Sequence, residues 1–110
     1  MIIYHLRPQQ NRNFPDYGTA EEKIAFVRAN RITGYTKVAE LAITADRLEE
    51  AYRASQNGLD EQYPSWIDYA NQYEGNRTYV PIETRSSMIG DIIRKDGKDF
   101  IVDNTGFLEL

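Results

Sequence analysis

Asp96-Gly97 stands between two β-rich runs, Asp91 to Lys95 and Lys98 to Asp103, and no other feature narrows the possible folds as much. A two-residue hairpin loop of type I′ needs positive φ at both central positions, which Asp-Gly supplies at little steric cost. The two runs are therefore expected to form a β-hairpin. A second break at Asn104-Thr105-Gly106 supplies residues able to enter the left-handed region, and Phe107-Leu108-Glu109-Leu110 follows as a third short strand. The expected unit is a three-stranded meander.

Side chains alternate along each strand, so Lys98, Phe100 and Val102 share one face and Asp99, Ile101 and Asp103 the other. In the third strand Phe107 and Glu109 face one way, Leu108 and Leu110 the other. A core on one side follows, but the second side is not cleanly polar, and the sheet is expected to pack against helices.

Upstream, Met1 to Arg7 reads as a first strand that Pro8 ends. Gln9 to Gly18 is polar, contains Pro15 and Gly18, and is expected to be a loop with Phe14 and Tyr17 pinned to the domain surface. Thr19-Ala20-Glu21-Glu22 has the form of a capping box, so a short helix should follow, with an apolar stripe of Ala20, Ile24 and Val27 beside Ala25 and Phe26, fading by Asn30. Beyond Gly34, the run Tyr35 to Ile43 suggests a buried strand without strict alternation, with continued helix as the alternative. Thr44 to Gly58 is the best helix by pattern: Thr44 can cap it, Asp46, Glu49 and Glu50 lie near its positive end, and Leu48, Ala51, Tyr52 and Ser55 form one face. Gly58 stands where a left-handed cap belongs. Trp66, Tyr69, Ala70 and Tyr73 recur at helical spacing after Pro64, and Thr78-Tyr79-Val80 reads as an edge strand stopped by Pro81.

These elements add up to one α+β domain over residues 1–110: an antiparallel β-sheet ending in the meander and packed against two or three short helices. A chain of 110 residues holds a single core. Charged residues at 27% and a mean hydropathy of -0.63 argue for a wet surface and a soluble protein. No apolar run reaches membrane-spanning length, and the N-terminus lacks the pattern of a secretory signal, so no membrane association is expected. The absence of cysteine removes disulfides and thiolate chemistry and fits a cytoplasmic location.

Arg85-Ser86-Ser87-Met88-Ile89-Gly90-Asp91, followed by the hairpin and Gly106-Phe107, resembles the R-S-x-S-x-G-D ending of small uncharacterised proteins carried by phages and plasmids. Met88 stands where the second serine of that pattern falls. Val38-Ala39-Glu40-Leu41, the acidic helix after it and Trp66 add to the resemblance. It implies a phage or mobile-element protein that works in the host cytoplasm. From the residues themselves, Gly90 suits a tight turn, Asp91 can bond its own loop, and Arg85 can tie that loop down. Arg85, Ser86, Ser87, Gly90 and Asp91 are thus candidates either for structuring a loop or for holding a small ligand.

Catalytic sets are hard to find. The one histidine, His5, lies in the first strand and is expected to be a surface or half-buried residue, and one histidine without cysteine makes no common zinc site. No glycine-rich phosphate loop occurs. Glu49-Glu50, Asp60-Glu61 and Asp99 with Asp103 could hold magnesium or do acid–base work, but solvated faces explain them better. No catalytic residue, metal site or cofactor is assigned.

The aromatic excess is more informative. Tyr63, Trp66, Tyr69, Tyr73 and Tyr79 lie close in sequence to Arg77, and rings with polar tips beside an arginine suit a partner-binding surface. The same rings could finish a small core or stack on bases. The first functional expectation is a non-enzymatic protein of a phage or mobile element that inhibits a host-defence or nuclease complex, of the anti-CRISPR or anti-restriction type, by occupying a protein or ribonucleoprotein surface. The net charge of -4 makes wholesale DNA mimicry a poor fit. The second is a nucleic-acid-binding accessory using Arg7, Arg12, Lys23, Arg28, Arg31 and Lys37; the third binds or turns over a small molecule or nucleotide near Arg85. Oligomeric state is open, a homodimer included.

Overall fold

The computed structural model describes residues 1–11, 13–41, 47–57, 77–78 and 85–110. In chain order they form β1 (Ile2–Leu6), α1 (Pro8–Asn11), α2 (Ala20–Asn30), β2 (Tyr35–Glu40), α3 (Leu48–Ala54), β3 (Arg77–Thr78), β4 (Ile92–Lys95), β5 (Lys98–Asp103) and β6 (Gly106–Glu109). The fold is α+β. The strands make one antiparallel sheet in the order β3-β2-β1-β4-β5-β6, so the N-terminal strand lies between β2 and the C-terminal meander.

The meander follows the turn chemistry. Asp96 has φ 51° and Gly97 φ 76°, the double positive that type I′ needs, and β4 pairs with β5 from Ile92↔Ile101 to Lys95↔Lys98. Gly106 (φ 108°) opens β6 after the second turn.

Both faces of the sheet are covered. Ile3, Ile93 and Val102 pack with Val38, Ala39, Leu41 and the α3 residues Ala51 and Ala54. On the opposite face Leu6, Ile92 and Ile101 pack with Tyr35, Phe14 and the α2 residue Val27. Two cores explain why the meander shows no polar face: Ile101 and Val102 point opposite ways and are both buried. A register shift also explains the imperfect alternation of β2. Ile3 pairs with Ala39 but Tyr4 with Lys37, which leaves Val38 as the extra residue of a bulge and sends Val38 and Ala39 into the same core.

The capping box of α2 forms in both directions, Glu22 N–H donating to Thr19 Oγ1 at 3.1 Å and Thr19 N–H to Glu22 Oε1 at 3.2 Å. Its buried face differs from the expected stripe. Ala20 and Ala25 are exposed, while Lys23 is buried along its stem and its ammonium meets Asp103 at 2.6 Å. Where a loop is expected at Gln9, the chain instead makes the single turn α1; Pro8 supplies helical φ, and its missing N–H would be unpaired at a helix start anyway. Phe14 is buried edge-on against Phe26, but Tyr17 is fully exposed rather than pinned.

The third helix is shorter than Thr44 to Gly58. It begins after Arg47, which is extended and makes no side-chain cap, and it ends at Ser55, whose hydroxyl donates back to the Tyr52 carbonyl. That back-bond, with Gln56 Nε2 on the same carbonyl, closes the helix before any glycine is needed. Thr44, Gly58 and the expected helix around Trp66 lie outside the described residues, as do Tyr79 and Val80; Thr78 pairs with Ala39 in β3. Among the described residues no helix is long and apolar enough to cross a membrane.

Candidate functional site

β1 and the segment 85–91 converge on one carboxylate. Asp91 is fully buried, and its two oxygens accept four hydrogen bonds: Leu6 N–H at 2.7 Å and Arg85 Nη2 at 2.8 Å on Oδ1, Arg85 Nη1 at 2.6 Å and Met88 N–H at 2.8 Å on Oδ2. A carboxylate has about four lone-pair sites, so this one is saturated. The fork-to-fork pairing with Arg85 is the strong, direction-fixing kind. Arg85 also donates to the carbonyls of Leu6 (2.9 Å) and Ser86 (3.0 Å), so the loop engages both the N–H and the C=O of Leu6 in β1.

His5 joins the same cluster. It shares the face of Ile3 and is buried, not the surface or half-buried strand residue expected from the sequence; period-two counting from Ile3 would have placed it inward. Its Nε2 lies 2.9 Å from Ser87 Oγ and 3.8 Å from Asp91 Oδ2. Burial pushes the imidazole down to about 4; the Asp91 charge pulls the other way and the Arg85 charge adds to the depression. His5 is therefore neutral at pH 7, and its approach to Asp91 is not an ion pair.

Serine, histidine and aspartate side by side invite comparison with a nucleophilic relay. A relay needs the carboxylate on one ring nitrogen and the hydroxyl on the other. Here both approach Nε2, and Ser87 is only 2% exposed. The backbone of Ser87 ties the segment to α3 instead: its N–H donates to the Ser55 carbonyl at 2.9 Å and its carbonyl accepts from Gln56 Nε2 at 3.0 Å. Ser86 Oγ accepts from Asn57 N–H at 2.6 Å.

Gly90 completes the turn at φ 96°, with its N–H on the Val102 carbonyl and its carbonyl accepting Tyr35 OH at 2.7 Å. Burial, then the nearby Asp91 charge, raise the Tyr35 phenol above its ordinary value. A Cβ at position 90 would sit 3.1 Å from Phe14 Cγ. Gly90→Ala is thus expected to cost about 2 kcal/mol, from the backbone conformation with the Phe14 contact added, and the urea midpoint measures it.

The other candidates are scattered. Arg77 lies in β3, and Tyr63, Trp66, Tyr69, Tyr73 and Tyr79 lie outside the described residues, as does Asp60-Glu61. Glu49 and Glu50 sit in the first turn of α3. Asp99 is held between Arg31 Nε (2.7 Å) and Arg94 Nη1 (2.9 Å), with the Arg31 guanidinium stacked 4.1 Å over the Tyr4 ring, while Asp103 faces Lys23. Burial alone would raise the Asp103 carboxyl, but the Lys23 ammonium and the Asn104 N–H hold it below the usual range. Among the described residues no group of three or more acidic or histidine side chains could hold a metal. The basic set is similarly divided: Lys23, Arg31 and Lys37 each meet a carboxylate, Arg7 and Arg28 are exposed, and Arg12 lies outside the described residues. A groove of about 480 Å³ is lined by Tyr52 of α3, Phe107 of β6 and the turn residues Asn104 and Thr105.

No protein-family model, no curated protein and no solved structure matches this chain.

Proposed function

We propose that this chain is a non-enzymatic binding protein that acts by occupying the surface of another macromolecule, a host protein or ribonucleoprotein complex. The observation that carries this reading is the saturation of Asp91. The one place where histidine, serine, aspartate and arginine meet uses their polar groups on the chain's own backbone and on one another, which supports a scaffold and leaves a poor site for chemistry. The resemblance to mobile-element proteins favours inhibition of a host-defence or nuclease complex as the purpose, with the aromatic stretch from Tyr63 to Tyr79 and Arg77 as the contact. The pairing of Lys23, Arg31 and Lys37 with acids lowers the support for a nucleic-acid accessory. Capture of the tagged protein from its natural host, with nuclease treatment before elution, tests the reading. A protein retained in stoichiometric amount is the expected outcome, weakened when Trp66 and Arg77 are replaced by alanine. Loss of all bound material to nuclease would favour the nucleic-acid reading.

A further inference from the structure

We propose that β6 is an interface between two copies of this chain, paired antiparallel about a two-fold axis at Leu108. β6 stands at the end of the strand order and bonds only to β5 among the described residues. Leu110 N–H donates to the Asp99 carbonyl, and Leu108 lies opposite Ile101. In an antiparallel ladder bonding alternates residue by residue, so the backbone groups of Leu108 and Leu110 point toward β5 and those of Phe107 and Glu109 point outward.

Edge strands that must stay single are cut short or carry charges, lysine above all, proline or a bulge. β6 is four residues long and has no lysine, proline or bulge. It pairs with β5 without a register shift, and its one charged side chain, Glu109, lies 3.4 Å from Lys98 of its own chain. Leu108 and Leu110 are half-buried against the α2-side core, and Phe107 against Tyr52 on the other face.

The occupant follows from the register. Centring the two-fold on Leu108 sets Phe107 opposite Glu109 of the second copy and Glu109 opposite its Phe107, so each outward N–H and C=O finds a partner. It also sets Leu108 against Leu108. Centring on Glu109 would bring two carboxylates face to face, and centring on Phe107 would pair Glu109 with Thr105 in the turn. One register thus satisfies the strand with no like-charge contact, which is the self-complementarity a two-fold interface requires. The product is a continuous sheet running through both copies.

Sedimentation of the full chain across a rising concentration series tests this, with two variants. Glu109→Pro removes an outward N–H that β5 does not use, so the fold should persist by circular dichroism while the dimer constant weakens about tenfold or more. Leu108→Cys introduces a lone thiol into a cysteine-free chain. Directly opposed residues of a non-hydrogen-bonded pair have Cα atoms about 4.5 Å apart, within disulfide range, so mild oxidation should give a covalent dimer that Thr105→Cys does not give. A chain that stays monomeric at the highest concentration, with no cross-link at position 108, overturns the proposal. So does a dimer that Glu109→Pro leaves intact.

Discussion

Asp91→Asn is expected to lower the unfolding free energy by about 3–5 kcal/mol, the range for breaking a buried ion pair from one side. An amide offers one acceptor oxygen where the carboxylate has two, and its NH₂ would face donors: either Leu6 N–H and Arg85 Nη2, or Arg85 Nη1 and Met88 N–H. The Arg85 guanidinium, about a third exposed, would lose its counter-charge against a fully buried neighbour. Urea unfolding followed by circular dichroism measures the effect as a shift in midpoint at unchanged slope. Lys98→Ala, which breaks only the exposed 3.4 Å pair with Glu109, should change stability by less than about 1 kcal/mol. Comparable losses from the two substitutions would mean that the Asp91 cluster does not hold the segment 85–91 in place.

Acid should weaken the fold through His5 well before the carboxylates titrate. The unfolded chain takes up the His5 proton near the ordinary value of 6.5, whereas the folded chain does so only near 4. Between those values the unfolded state binds more protons, so stability falls as pH falls through the window and levels off, for this group, below it. The loss amounts to about 3 kcal/mol. Asp103 has the opposite history but the same sign: its folded carboxyl lies below the ordinary 3.8, so its contribution is present above that value and lost beneath it. The two windows are separate. His5→Gln keeps a polar atom near Ser87 Oγ without a titrating ring, and stability measured from pH 7 to 4.5 should then be nearly flat. A slope equal to that of the parent chain would show that the imidazole is not the group responsible.

Local chemistry was legible in the sequence, and long-range chemistry was not. Asp96-Gly97, the Thr19 capping box and the bounds of β5 each depend on residues within a few positions of one another, so they could be read directly. The end of α3 depends on Ser55 competing for the Tyr52 carbonyl, and a Gly58 cap was the simpler guess. The Arg85 to Asp91 stretch stood out as unusual, but its meaning rests on partners far along the chain: Leu6 is 85 positions from Asp91, and His5 is 82 from Ser87. Alternation from Ile3 would put His5 on a buried face, against the surface or half-buried position expected for it, yet only the strand order brings it to Ser87. The second core was hidden for a related reason, since an antiparallel sheet with helices on both sides has no polar face to reveal its parity.

The strand order also dictates when the molecule can be completed. β1 leaves the ribosome well before β4, yet β4 is one of its two neighbours, with Ile93 paired to Ile3. Until Ile92–Lys95 has been synthesised, β1 has only β2 beside it, and Leu6 N–H lacks the carboxylate that receives it. Contacts so distant along the chain slow the search for the native state and leave apolar strand edges open meanwhile. β1 therefore waits on the β4–β5 hairpin, whose short-range turn can form within microseconds and dock as a finished piece.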